Sequence, residues 1–211
     1  QKKNYTPIHE YAQKNKIDIR YPEKLDTTEE LNFIKELKPD VVVVVAYGKI
    51  IPSNFLDIKN ISFINVHASL LPRWRGAAPI QRSIMNLDEK TGISIMKIAE
   101  KLDTGPVCNS YTLDILDNEN VISLSERLSI LAAEKILDNI DAITDDKALF
   151  KSQDESKATY ANKISKPEGK INWHDKAENI IGKINGIYPN AYFLYNGERY
   201  KILKAKISSG V

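Results

Sequence analysis

The sequence predicts an α/β fold followed by a smaller β-rich section, and three observations carry that prediction. Helical and strand-like stretches alternate through residues 1–150. Val41 to Ala46 is an unbroken, mostly β-branched run. Near the end, Asn196-Gly197 stands between two β-prone stretches, the signature of a hairpin turn.

Ile8 to Lys16 reads as a helix and Ile17 to Tyr21 as a short β-prone stretch. Thr27 with Glu30 fits a capping box, and Leu31, Ile34 and Leu37 give the helix that follows an apolar face. The valine run does not alternate, so it reads as a central parallel strand buried on both faces. Tyr47-Gly48 breaks it at its carboxyl end, where open α/β sheets bind ligands. Pro52 opens a short helix to Leu56, and Ile61 to Val66 is the next strand. Gly76 to Leu87 reads as a helix with Pro79 in its first turn, where a missing N–H does no harm. Gly92–Ile98 and Val107–Leu113 read as strands. Ser123 with Glu126 fits a second capping box, opening a long helix with Leu124, Leu128, Leu131, Ala132 and Ile136 on one face. Periodicity fades from Thr144 to Lys170, which reads as a linker with local order at Ala158–Ile164. A helix at Ala177–Ile184 and the hairpin Ala191–Tyr195 with Tyr200–Leu203 close the chain.

Composition narrows the function classes. The chain has 211 residues, enough for a sizeable core, and 42% of them are hydrophobic, which argues against disorder. One cysteine, Cys108, excludes an internal disulfide and a cysteine-based metal cluster, and fits a reducing cytoplasm. His9, His67 and His174 lie far apart in unlike contexts, so no metal site is predicted. No apolar run approaches the roughly 20 residues of a membrane span, and the start carries no signal-peptide pattern. Charge is uneven: residues 151–211 carry 11 Lys/Arg against 6 Asp/Glu, and residues 1–150 carry 19 against 22. A basic end suits a polyanion such as RNA; a solvated lysine-rich surface is the plainer explanation on charge alone.

The polar cluster Asn65-Val66-His67-Ala68-Ser69-Leu70-Leu71-Pro72-Arg73-Trp74-Arg75-Gly76 leaves a predicted strand and enters a helix. Asn65 and His67 are two apart, so on a strand they project to one side. An amide can donate to a developing oxyanion, and an imidazole can donate or shuttle a proton. The residues alone leave local loop hydrogen bonding as an equal alternative. Asp103, in Leu102-Asp103-Thr104-Gly105, is either an ordinary turn aspartate or the carboxylate that orients His67. Arg73 and Arg75 flank Trp74 and suit phosphate recognition, or pack as a surface pair. Neither a GxGxxG fingerprint nor a Walker loop occurs. Trp173 reads as a core residue of the last section.

Ile64-Asn65-Val66-His67-Ala68-Ser69-Leu70-Leu71-Pro72, with the later Leu102-Asp103-Thr104-Gly105, closely resembles the folate-dependent formyltransferases. Pro72-Arg73-Trp74-Arg75-Gly76-Ala77-Ala78-Pro79 and the stretches Val45–Pro52, Thr91–Met96, Tyr160–Ile164 and Ile171–Trp173 resemble the branch whose acceptor is a charged initiator tRNA. The resemblance spans nearly the whole chain. It implies a Rossmann-like, parallel-sheet catalytic domain over residues 1–145, a linker over 146–165, and the start of an OB-like β-barrel domain that binds tRNA over 166–211. It also implies that the family's first strand, the loop after it and most of the barrel lie outside this chain. The implied reaction moves a formyl group from 10-formyltetrahydrofolate to the α-amine of methionine on initiator tRNA. Asn65, His67 and Asp103 match the catalytic trio, and Ser69, Leu70, Leu71 and Pro72 the folate-binding loop, with Leu71-Pro72 a candidate cis bond. Tyr47, Gly48 and Ile50 match the lining of the pterin pocket, while Arg73 and Arg75 are the candidates for tRNA contact. A monomer without metal, in a bacterial cytoplasm, is the implied state. Two other readings stand beside it: a relative acting on a UDP-amino sugar, and a folate- or RNA-binding module without turnover.

Overall fold

The structure is a computed structural model and describes residues 5–208. They form two compact units, 5–38 and 39–208.

In the first unit, α1 (Pro7–Lys14) is capped by the Thr6 hydroxyl, which accepts from His9 N. The predicted strand at Ile17–Tyr21 does not form; that stretch is irregular. Helix α2 (Thr28–Leu37) is capped by Thr27 as predicted, but only half of the capping box is made. The Thr27 N–H donates to Leu25 O, and the Glu30 carboxylate is taken by the Arg20 guanidinium, whose Nε lies 3.0 Å away. A nearby cation has outcompeted the backbone for that carboxylate, holding its pKa below the usual range.

The second unit is built on a four-stranded sheet in the order β1 (Val41–Val44), β2 (Ser62–His67), β3 (Lys90–Lys97), β4 (Val107–Asp114). The sheet is mixed: β1 and β2 are parallel, whereas β3 runs antiparallel to β2 and β4 antiparallel to β3. The valine strand is not buried on both faces as its composition suggested. It lies at the end of the described sheet, with Val43 41% exposed and Val45 58%. The short helix α3 (Ser53–Leu56) anchors the β1–β2 connection through buried Phe55.

Helix α4 (Pro79–Met85) begins three residues later than predicted. Gly76, at φ +120°, sits in the chain turn before it, where an added Cβ would come within 2.9 Å of Ala161 O. Helix α5 (Val121–Thr144) begins before the predicted Ser123 cap. Asn120 is the cap: its side chain accepts from Ile122 and Ser123 N–H, and Ser123 Oγ accepts from Asn120 N–H. Ser123 is thus the inner partner of the box, because the Asn120 carboxamide, four residues before Leu124, reaches both free N–H groups. The predicted face of α5 packs on the sheet, with Leu124 and Leu128 wholly inside beside Val66, Ile84 and Ile93. A second cluster joins Ile64, Ile95 and Ile143.

Residues 146–165 run closely over the sheet's edge and the loop after β2. Lys151 bridges to Val107, and Tyr160 to Arg75, with a 3₁₀ turn at Glu155–Lys157 between them. Helix α6 (Ala177–Gly186) then packs on α4, where Gly182 and Gly186 allow close approach to Met85 and Leu87. The hairpin β5 (Tyr192–Tyr195) and β6 (Glu198–Lys201) forms about the predicted turn, with Asn196 and Gly197 both at positive φ, though its second strand begins two residues before the expected Tyr200. Trp173 is 61% exposed and meets Phe193 edge-on, so it is not a core residue. Among the described residues no helix is long and apolar enough to cross a membrane.

Arg82 of α4 ties this last section down by an ion pair to Glu168 at 2.7 Å. The Arg82 guanidinium and the Ser165 N–H hold the Glu168 carboxyl down at about 2. A carboxyl lowered in the folded state stabilises it above the unfolded pKa near 4.5 and loses that contribution as pH falls towards 2. With the side chain 33% exposed, solvent screening reduces the contribution to about 1–2 kcal/mol. Glu168→Gln is therefore expected to cost about that much at pH 7 by urea denaturation, and the gap to wild type to narrow at pH 3. A gap of the same size at both pH values would show that the charge is not its source.

Candidate active site

The site forms where β2 ends. Because β1 and β2 are parallel, the loops after both leave the sheet at the same edge. Asn65 and His67 occupy alternate positions of β2, opposite Met96 and Ser94 of β3, and so share a face. Asn65 is partly exposed, and its carboxamide makes no hydrogen bond among the described residues.

His67 is buried, and both ring nitrogens are accounted for. Nε2 lies 2.9 Å from Trp74 O. A carbonyl only accepts, so Nε2 carries the hydrogen. Nδ1 then faces Asp103 Oδ2 at 3.6 Å. In the neutral ring Nδ1 is a bare acceptor, so the atom facing the carboxylate is the one that can take up a proton, and the carboxylate stabilises the imidazolium that results. Asp103 Oδ2 also accepts the Gly76 N–H at 2.8 Å. Its Oδ1 makes no hydrogen bond among the described residues.

Asp103 stands at φ +51°, a left-handed conformation that aspartate tolerates better than most residues. Gly105 completes the turn. Its Cα lies so close to the chain that an added Cβ would fall 1.8 Å from Lys97 O.

The loop after His67 is shaped by one buried hydroxyl. Ser94, directly across from His67, donates to Ser69 O at 2.8 Å and accepts from Leu71 N at 3.0 Å. Ser69 Oγ donates to Arg73 O at 2.6 Å, closing the turn on itself. The Leu71-Pro72 peptide is cis, as expected. Leu71 and Pro72 form one wall of a hollow of about 310 Å³, with Cys108, Ser110, Lys151 and Asp154 on the others. That is near the lower end of small-molecule sites. Burial pushes the Cys108 thiol above its ordinary pKa. Of the loop after β1, Tyr47 and Ile50 are 39% and 80% exposed, and Gly48 at φ +69° has open space around it.

Arg73 and Arg75 part company. Arg73 makes a two-pronged pair with Asp88 at 2.6 and 3.0 Å and lies over the Trp74 ring. Burial raises the Asp88 carboxyl, but hydrogen bonds from Arg73, Trp74 Nε1 and Asn86 outweigh it and leave the pKa low. Arg75, expected at a tRNA surface, has no exposed area. Its guanidinium donates to Gln153 Oε1 at 3.0 and 2.9 Å and to the Glu155 carboxylate at 2.9 and 2.7 Å. An adjacent tryptophan and glycine gave no sign of that burial, because the partners that neutralise Arg75 lie some 80 residues away. Sequence reading also missed Gln153 and Ser94, whose polar atoms act only once the chain is folded.

Comparison with known proteins identifies the family. Residues 1–140 match the family model described as formyl transferase, and residues 163–210 the one described as formyl transferase, C-terminal domain. The methionyl-tRNA formyltransferase of Pelagibacter ubique is 57% identical over 99% of this chain and 68% of its own length. The chain belongs to the methionyl-tRNA formyltransferase family. The relative named so in Sulfurihydrogenibium is 44% identical, again over 68% of its length, so this family member spans about two thirds of those proteins. Among solved structures it is similar to methionyl-tRNA formyltransferase from Clostridium thermocellum, with a TM-score of 0.69 at 22% identity over 96% of this chain and 88% of that one. It is also similar to a sugar N-formyltransferase from Shewanella, with a TM-score of 0.72 at 22% identity over 88% and 77%. A third is HypX from Aquifex aeolicus in complex with tetrahydrofolic acid, with a TM-score of 0.68 at 17% identity over 80% and 30%. These three likenesses establish the fold, which accommodates more than one formyl acceptor.

In this formyltransferase the Ser94 hydroxyl is the support of the Ser69–Pro72 loop. Ser94→Ala leaves a buried N–H and a buried C=O unpaired, and is expected to destabilise the protein by about 1–3 kcal/mol in denaturant titration. A loss under 0.5 kcal/mol would mean that water replaces the hydroxyl.

Proposed function

We propose that the protein transfers the formyl group of 10-formyltetrahydrofolate to the α-amine of methionine on initiator tRNA, giving N-formylmethionyl-tRNA. The observation that carries this reading is the meeting of His67 Nδ1 with Asp103 Oδ2 beside a free Asn65 carboxamide. The shared ancestry with the methionyl-tRNA enzymes supports it.

The residues present fit the donor. The rigid Ser69–Pro72 loop and the hollow beside it offer an apolar wall at Leu71 and Pro72 and polar groups opposite. Bound there, the folate supplies an activated formyl carbon on N10. The amine nitrogen forms a bond to that carbon, and the carbon–N10 bond breaks. The Asn65 amide donates to the formyl oxygen as charge develops on it, a contribution of about 3–4 kcal/mol. His67 Nδ1 takes the proton that the amine sheds, with Asp103 stabilising the imidazolium, and the pair returns a proton to N10 as it leaves. Because the His67 Nε2 hydrogen is committed to Trp74 O, the ring acts here through Nδ1 rather than as a second oxyanion donor.

The tRNA would meet the exposed cations of the last section, among them Lys163, Lys166, Lys170 and Lys176. These, and not buried Arg75, are the candidates for backbone contact. Since the acceptor is a charged initiator tRNA, the reaction belongs in the bacterial cytoplasm. An acceptor of small size, such as an amino sugar, would leave those lysines without a role.

In the full-length enzyme, Asn65→Ala is expected to lower kcat about 10²- to 10³-fold with donor affinity kept. Equal losses of turnover and of donor binding would remove the oxyanion role. The affinity for tRNA should fall steeply between 50 and 200 mM salt, with each Lys→Ala change at a contact lowering the slope of log K against log salt by about one. Variants of all four lysines with an unchanged slope would leave the last section a mere solvated surface.

A further inference from the structure

Gln153 lies in a polar stretch that carries no motif, yet every polar atom of its side chain is committed. Nε2 donates to Asp103 O at 2.8 Å and to Gly105 O at 2.7 Å, the two carbonyls that bracket the left-handed turn. Oε1 accepts both Nε and one terminal nitrogen of Arg75. The guanidinium can only donate and the carbonyls can only accept, so the amide has a single allowed orientation. Arg75 is itself held by Glu155, whose carboxylate is kept low by that contact. Gly76, the residue after Arg75, holds Asp103 from the other end by donating to its Oδ2. Asp103 is therefore gripped twice: at the main chain through Gln153 and at the carboxylate through Gly76.

We infer that Gln153 is a positioning residue for formyl transfer. It fixes the turn at Asp103 so that Oδ2 faces His67 Nδ1, and Arg75 and Glu155 serve to orient it. The inference rests on the reading that Asp103 and His67 move the proton. Gln153 takes no part in the bonds made or broken.

The test uses full-length enzyme with 10-formyltetrahydrofolate and methionine-charged initiator tRNA, comparing Gln153→Glu, Asp103→Asn and the double variant. Gln153→Glu keeps an oxygen for Arg75 but loses both N–H donors. Its kcat should fall about 10- to 100-fold, the size of loss a small misplacement produces. KM for both substrates should stay near wild type; the melting temperature should fall, because two carbonyls lose their donor, so the rates are compared well below it. The double variant should be no slower than Asp103→Asn, because a residue that acts through Asp103 has nothing left to position. A Gln153→Glu kcat within twofold of wild type, beside a slow Asp103→Asn, would overturn the inference. So would a raised KM for the donor at unchanged kcat, which marks a binding contact, or losses that multiply in the double variant. Asp103→Asn at wild-type rate is a different result: it would overturn the proton-transfer reading itself. Should Gln153→Glu not fold, Gln153→Asn, which keeps an amide but falls one methylene short of the turn, carries the same comparison.

Discussion

A guanidinium with no access to water must be neutralised and fully hydrogen-bonded where it lies, and much of this molecule follows from meeting that demand at Arg75. The demand is met from far along the chain, by Gln153 and Glu155. The loop between β2 and α4 and the segment before the last section are consequently fastened together as one layer. The Arg75–Tyr160 bridge and the Gly76 approach to Ala161 extend the same seam. Removing Glu155 would leave the buried Arg75 charge unpaired, which is far costlier than the pair is favourable.

That seam holds Asp103, and strand pairing holds the other two reactive side chains. Asn65 and His67 are placed by a strand whose register is set on both sides, by β1 and by β3. Asp103 comes from a turn between strands, and a turn has no register to hold it. Its position comes instead from Gln153, from the Gly76 N–H and from the tight passage of Gly105 beside Lys97. Rigid strands thus supply the amide and the imidazole, and a strapped turn supplies the carboxylate.

What was legible in the sequence divides along the same line. Local chemistry was readable: the Thr27 cap, the apolar face of α5 and the Asn196-Gly197 turn all form, because each depends on residues within four positions of one another. The motif Asn65-x-His67 with its following loop was readable by its resemblance to the formyltransferases, and the structure sets Asp103 beside it. Features decided by distant partners were not readable. The Glu30 carboxylate went to Arg20 rather than to the helix cap. The valine run took a half-exposed position despite a composition suited to burial. Arg75 looked like a surface residue because nothing near it in the chain announces Gln153 or Glu155.

The chain's two tryptophans occupy contrasting settings. Trp173 stands 61% exposed at the edge of the hairpin. Trp74 is pinned by its indole N–H to Asp88 at 2.7 Å and covered by the Arg73 guanidinium, while its own carbonyl touches the His67 ring. The two rings are therefore separate optical reporters. An ionic quencher reaches the emission of Trp173 readily, whereas that of Trp74 arises between Asp88 and the Arg73 guanidinium, next to the His67 ring. With Trp173 replaced by phenylalanine, the remaining fluorescence would come from the residue whose carbonyl meets the His67 ring, without any label added.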